Sequence, residues 1–202
     1  MKHINLNLFC KNEEKLNLDV VRAGEQEIVT KINEIYHDVE GEIYLQKHPE
    51  IFVDEVKRWR KIAKKYFIKN FPITILDIGT GTGFVPLIIA PFMKKDDMII
   101  CSDISQVMLD VCKKEIAKRQ FKCKFKFVKS NGKTIRVVND TGGLIGVNSV
   151  LHHIPNLGQF FSQIGEVISE EGILVIAHEP NKVFYSNRFL WNNYILLRRP
   201  VN

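Results

Sequence analysis

The stretch Ile73-Thr74-Ile75-Leu76-Asp77-Ile78-Gly79-Thr80-Gly81-Thr82-Gly83 constrains everything around it. It opens as a β-branched apolar run, the pattern of a strand buried on both faces of a parallel sheet. It closes in alternating glycines, and Phe84-Val85-Pro86-Leu87-Ile88-Ile89-Ala90 resumes in a helical pattern. Strand, glycine turn and helix together present backbone N–H groups and a helix N-terminus to a nucleotide-like ligand. Glycine allows the close approach because no Cβ stands between backbone and ligand.

The spacing decides which ligand. The dinucleotide fingerprint is G-x-G-x-x-G, whereas this loop reads G-x-G-x-G, with Phe84 where the last glycine of that fingerprint would fall. Asp77 stands just ahead of the first glycine. A carboxylate there repels a pyrophosphate but suits a ligand with a cationic amino group, such as S-adenosylmethionine. On these residues the chain resembles the class I S-adenosylmethionine-dependent methyltransferases, whose first motif is an acid followed by G-x-G-x-G. The resemblance covers roughly residues 73–180. It implies an α/β, doubly wound, mostly parallel Rossmann-like sheet with an N-terminal helical cap. It also implies S-adenosylmethionine as cofactor, held by Asp77, Gly79, Thr80, Gly81 and Gly83.

Met98-Ile99-Ile100-Cys101-Ser102-Asp103 reads as a second apolar strand ending in an acid. A carboxylate offers two acceptor oxygens, enough for both hydroxyls of a ribose. Asp103 follows Gly79 by about two dozen residues, near the spacing of a βαβ unit. The alternative is that it caps a helix beginning near Ser105. The resemblance assigns the ribose to Asp103 and the adenine flank to Ile104. Val107, Met108, Val111, Cys112 and Ile116 give that helix a core-facing stripe, with Met108 in the core.

Phe121 to Lys129 alternates strictly, with Phe121, Cys123, Phe125 and Phe127 on one face and Lys122, Lys124 and Lys126 on the other. Lysine there protects a sheet edge from aggregation, and the resemblance puts this third strand at the edge. Nucleic-acid binding is the less favoured reading of the same pattern. Ser130 and Asn131 fall where the family contacts the adenine amino group, replacing its common Gly-Asp pair. Leu144 to Ile154 reads as a fourth strand and exit loop. Asn148, which joins the expected donor contacts, begins the segment Asn148-Ser149-Val150-Leu151-His152-His153-Ile154. That segment resembles small-molecule methyltransferases rather than the Asn/Asp-Pro-Pro-aromatic signature of nucleobase amino methylation. His152 and His153 are too divergent as neighbours to share a metal ion, and no metal site is expected. One of them is a candidate general base, although a structural role competes. A helix over 160–169 is expected to turn Phe161, Ile164, Val167 and Ile168 inward, and Ile173 to Pro180 gives a fifth strand. His178 and Glu179 then fall on the acceptor side.

Three regions are expected: a helical arm or lid over 1–70, the donor-binding core over 71–180, and an aromatic, basic tail over 181–202. In the first, Ile28, Ile32 and Ile35 mark a helix that breaks at His37 to Gly41. A stronger amphipathic helix runs from about Pro49 to Lys69, and the resemblance makes Tyr36 and Tyr44 lid residues. The family's sheet has two more strands after the fifth, for which no residues remain, so a shortened or truncated member is expected. Its fifth strand would be an edge unless a second copy covered it, as in a homodimer. The net charge of +6 reads as a lysine-rich surface, and the four cysteines fit neither zinc nor a disulfide framework. No secretory leader or bilayer-spanning run is visible, making the cytoplasm the default address. The expected activity is methyl transfer to a small-molecule acceptor. An RNA methyltransferase, a non-catalytic binding protein and a nucleotide-cofactor oxidoreductase are the alternatives.

Overall fold

The computed structural model describes residues 25–41, 54–67, 72–130 and 143–179. The expectations for Cys10, Tyr44, Asn131, the start of the helix at Pro49 and the aromatic tail lie outside them. Nearly all the described residues belong to one compact unit, Val29–Glu179. The elements are α1 (Glu25–Glu40), α2 (Asp54–Tyr66), β1 (Thr74–Ile78), α3 (Phe84–Ile89), β2 (Met98–Asp103), α4 (Gln106–Ala117), β3 (Lys124–Lys129), β4 (Leu144–Asn148), α5 (Leu157–Val167) and β5 (Ile173–Ala177). Short 3-10 turns cover Ala90–Phe92 and Leu151–His153.

The five strands are all parallel, in the order β3-β2-β1-β4-β5. This is the doubly wound arrangement that the family resemblance implied, with β3 at one edge. Burial follows position: β1, β2 and β4 are almost wholly buried, whereas β3 alternates exposed lysines with half-buried aromatics. On one face of the sheet Ile75, Ile99, Cys101 and Leu144 pack with Trp59 and Ala63 of α2, Val85 and Ile89 of α3, and Leu109, Cys112 and Ile116 of α4. On the other, Leu76, Ile78, Ile100, Ile145 and Val147 pack with Phe160 and Ile164 of α5.

Two expectations are corrected. The first helix does not break at His37 but continues to Glu40. Of its spaced isoleucines, Ile28 and Ile35 are half-buried and Ile32 is exposed, as are Val29, Tyr36 and Val39, while Thr30, Asn33 and His37 line the cleft. In α5 the inward phenylalanine is Phe160, 1% exposed, and Phe161 is 39% exposed. Phe160 lies one helical turn before Ile164, so these two share a face, and the adjacent Phe161 is rotated off it.

Candidate donor-binding cleft

The cleft opens at the carboxyl ends of β1, β2 and β4, where ligands of open α/β sheets bind. Gly79, Gly81, Ser102, Asp103, Ile104, Ser130, Asn148 and Ser149 form its floor and sides. Gly79 and Gly81 both adopt left-handed backbone, at φ 67° and 52°. Their surroundings differ. A Cβ on Gly79 would meet the Val150 side chain at 2.3 Å, whereas one on Gly81 would find nothing within 4 Å. Gly79 is therefore required by packing, and Gly81 keeps an open cradle beside the cleft.

Three buried aspartates mark the sheet's ends, each in a different state. Asp97 accepts from the Ile73 and Lys94 amides at 2.9 and 2.6 Å and closes the turn before β2. Asp103 accepts from the Gly81 amide at 2.8 Å and the Ser105 amide at 2.9 Å, so it fixes the glycine loop. It does not cap α4; the Ser105 hydroxyl does, accepting from the Met108 amide. The Ile104 amide also bears on the Asp103 carboxylate, which still has acceptor capacity left for a ligand hydroxyl. Burial raises its carboxyl above the usual range, against the lowering effect of the Ser105 and Gly81 amides and of His37.

Asp77 differs from both. It is 1% exposed, and neither carboxylate oxygen has a hydrogen-bond partner. Burial pushes its pKa up to about 7; the Thr80 hydroxyl, close by but outside hydrogen-bond geometry, opposes the shift and Asp103 reinforces it. A buried acceptor left unpaired costs roughly 1–3 kcal/mol, more if charged, and such groups call for a missing partner. A cationic amino group supplies one. The Thr80 hydroxyl is likewise buried without a partner in hydrogen-bond geometry, although it lies near enough to Asp77 to affect its carboxyl. The open cradle at Gly81 and the acceptor oxygens of Asp103 fit a nucleoside; Asp77, Thr80 and Gly83 are not among the residues that line the cleft, and Asp77 lies buried next to the lining residue Ile78.

The His152–His153 turn is braced by Glu179, which accepts from the Val150 and Leu151 amides and from His152 Nδ1 at 2.9 Å. His153 lines the cleft; His152 is not among the lining residues. Asn33 of α1 clamps His153 twice, donating from Nδ2 to its carbonyl at 3.0 Å and facing Nδ1 with Oδ1 at 3.2 Å. The second contact requires the hydrogen on Nδ1, which leaves Nε2 as the lone-pair nitrogen. Burial, then His152 and His37, lower the His153 pKa to about 4, so the ring is neutral at physiological pH. The His37 pKa is lowered as well, mainly by burial.

Helix α1 roofs the cleft with its polar face. Besides Asn33, Glu34 pairs with Lys129 at the end of β3 at 2.7 Å, and Asp38 accepts from the Ser105 hydroxyl. Tyr36 faces outward, so the roof residues are Thr30, Asn33 and His37. Met108, expected in the core, is both buried and part of the cleft wall. His178 lies 3.9 Å from Glu55 and outside the cleft lining. Sequence reasoning missed Asn33, His37 and Trp59, whose contacts join positions about 90 to 120 residues apart.

A Rossmann-like parallel sheet with an acid-led G-x-G-x-G loop and an acid ending β2 defines a class I S-adenosylmethionine-dependent methyltransferase domain. The methyltransferase domain family matches residues 69–187, and the chain belongs to that family. It is 24% identical over 125 residues to the probable S-adenosylmethionine-dependent methyltransferase CRG1 of Saccharomyces cerevisiae, covering 62% of this chain and 39% of that protein. It is also 24% identical over 151 residues to the malonyl-[acyl-carrier protein] O-methyltransferase of Legionella pneumophila, covering 72% of this chain and 52% of that one. The chain thus spans about half or less of these relatives' lengths. A SAM-dependent methyltransferase from Aquifex aeolicus shares the fold at a TM-score of 0.57 and 20% identity, over 70% of this chain and 74% of its own. A putative methyltransferase from Methanococcus maripaludis does so at 0.56 and 18%, over 80% and 75%. Among the described residues no helix is long and apolar enough to cross a membrane.

Proposed function

We propose that this protein transfers the methyl group of S-adenosylmethionine to a small-molecule acceptor. One observation carries the donor assignment: the buried, partnerless carboxylate of Asp77 beside the Asp103-braced glycine cradle. Asp103 and Ile104 hold the adenosine, with Ser130 alongside, and Asp77 takes the ammonium. The bound donor supplies an electrophilic methyl on a sulfonium, so this chain's work is alignment and exclusion of water. His153, neutral with Nε2 as its acceptor atom, orients an acceptor's N–H or O–H. A pKa near 4 makes it too weak a base to strip a strongly held proton at neutral pH.

The acceptor class rests on the roof and on the segment after β4. Thr30, Asn33 and His37 close over the cleft, which favours a compact acceptor. Calorimetric titration with S-adenosylmethionine, S-adenosylhomocysteine and NAD tests the donor. Micromolar binding of the first two is expected, and tighter binding of NAD would reject it. Salt-sensitive binding to bulk tRNA would contradict the small-molecule acceptor.

A further inference from the structure

Trp59 is fully buried on the inner face of α2. An indole N–H only donates, so a buried one needs an acceptor. Trp59 Nε1 donates to Asn148 Oδ1 at 2.9 Å. That contact fixes the orientation of the Asn148 carboxamide, oxygen toward the indole and Nδ2 at the opposite end. Asn148 lines the cleft, and its Nδ2 has no partner among the described residues.

The register places this amide beside the glycine loop. Gly146 pairs with Asp77 and Val147 with Ile78, so Asn148 comes level with Gly79. Asn148 and Gly146 lie on the same sheet face, the face that carries Asp77. Trp59 packs over the bare Gly146: a Cβ there would lie 3.2 Å from the indole ring and 3.2 Å from Asp77 Oδ1. Indole, carboxamide and carboxylate therefore form one contiguous group. It offers an unpaired acceptor at Asp77 and an unpaired donor at Asn148. The tail of an α-amino acid carries the complementary pair, an ammonium and a carboxylate on one carbon.

We infer that Trp59 positions Asn148 to donate to the carboxylate of the donor's amino-acid tail while Asp77 takes its ammonium, so that α2 selects the intact tail. This rests on the donor reading above. Trp59 is a positioning residue, acting only through Asn148.

The test compares two ligands by calorimetry: S-adenosylhomocysteine, and 5′-methylthioadenosine, which is an adenosyl thioether without the amino-acid tail. Trp59→Phe should weaken S-adenosylhomocysteine about tenfold, the effect of a hydrogen bond to a charged group, and leave methylthioadenosine within about twofold. Asn148→Asp keeps an acceptor for the indole but sets a negative charge against the tail carboxylate. It should weaken S-adenosylhomocysteine by more than Trp59→Phe does, again sparing methylthioadenosine. Because it is isosteric, it carries the test if Trp59→Phe does not fold. Equal weakening of both ligands, or unchanged or tighter S-adenosylhomocysteine binding in Asn148→Asp, would overturn the inference alone. A wild-type protein that bound neither ligand would reject the donor reading and this inference with it.

Discussion

The floor and the roof of the cleft are built on opposite principles. The floor is backbone: glycines held in left-handed conformation, amides locked onto Asp103, and strands buried on both sides. The roof, α1, is attached by side chains. It meets the floor through Glu34–Lys129, Asp38–Ser105 and Asn33–His153 and leaves Val29, Ile32, Tyr36 and Val39 exposed. Of these, the partly exposed Glu34–Lys129 ion pair is worth little. We expect the floor to set which ligand binds and the roof to set how fast it leaves.

Substitutions should respect that division. The largest effect falls on the floor. Gly79→Ala combines a positive φ with a clash on Val150 and should cost about 3 kcal/mol of stability by chemical denaturation. Gly81→Ala, with open space around it, should cost about 1 kcal/mol of strain but still weaken donor binding. Equal stability losses would erase the distinction between them. Asp103→Ala should weaken S-adenosylhomocysteine about a hundredfold, read by calorimetry. Affinity within twofold of wild type would remove the ribose assignment.

Asp77 adds a pH dependence. Burial raises its carboxyl from 3.8 to about 7. A raised acid pKa means the folded state holds a proton that the unfolded chain has already released. Stability of the empty protein should therefore fall as pH rises between about 4 and 7. Donor binding, which uses the ionised form, should strengthen up to tenfold per pH unit below 7 and level off above it. Asp77→Asn should flatten both profiles, and an unchanged affinity profile would separate Asp77 from the tail.

The roof should answer more weakly. Glu34→Gln removes a partly exposed pair with Lys129 and should change stability by less than about 1 kcal/mol. Stopped-flow displacement should show donor release several-fold faster; a large stability loss with unchanged release would make α1 part of the floor. The smallest effect is expected at Ile32→Lys on the outer face, within about 0.5 kcal/mol of wild type.

The same division governs what the sequence could say. Floor residues announce themselves locally. The β-branched run into Gly79, the acid at Asp77 and the acid ending β2 are continuous patterns, and every strand formed within its pattern, β3 and β5 over a shorter span than the pattern itself. The roof does not announce itself. Ile28, Ile32 and Ile35 have helical spacing, but spacing does not say which face meets the protein. That was decided by Asn33, Glu34 and Asp38 finding partners that leave no local trace. Asn33 and His153 are 120 residues apart, and Trp59 and Asn148 are 89 apart. The choice between Phe160 and Phe161 was lost similarly, because two adjacent phenylalanines fit a helical period equally well until the helix start is known. Asn156 fixes that start by capping α5, and with it Phe160 faces inward.

A crystal structure of the protein with S-adenosylhomocysteine tests the central claim most directly. The account predicts the ribose hydroxyls on Asp103, the ammonium against Asp77 and the ligand lying across Gly79 and Gly81. Density for the ligand away from these two carboxylates would contradict it.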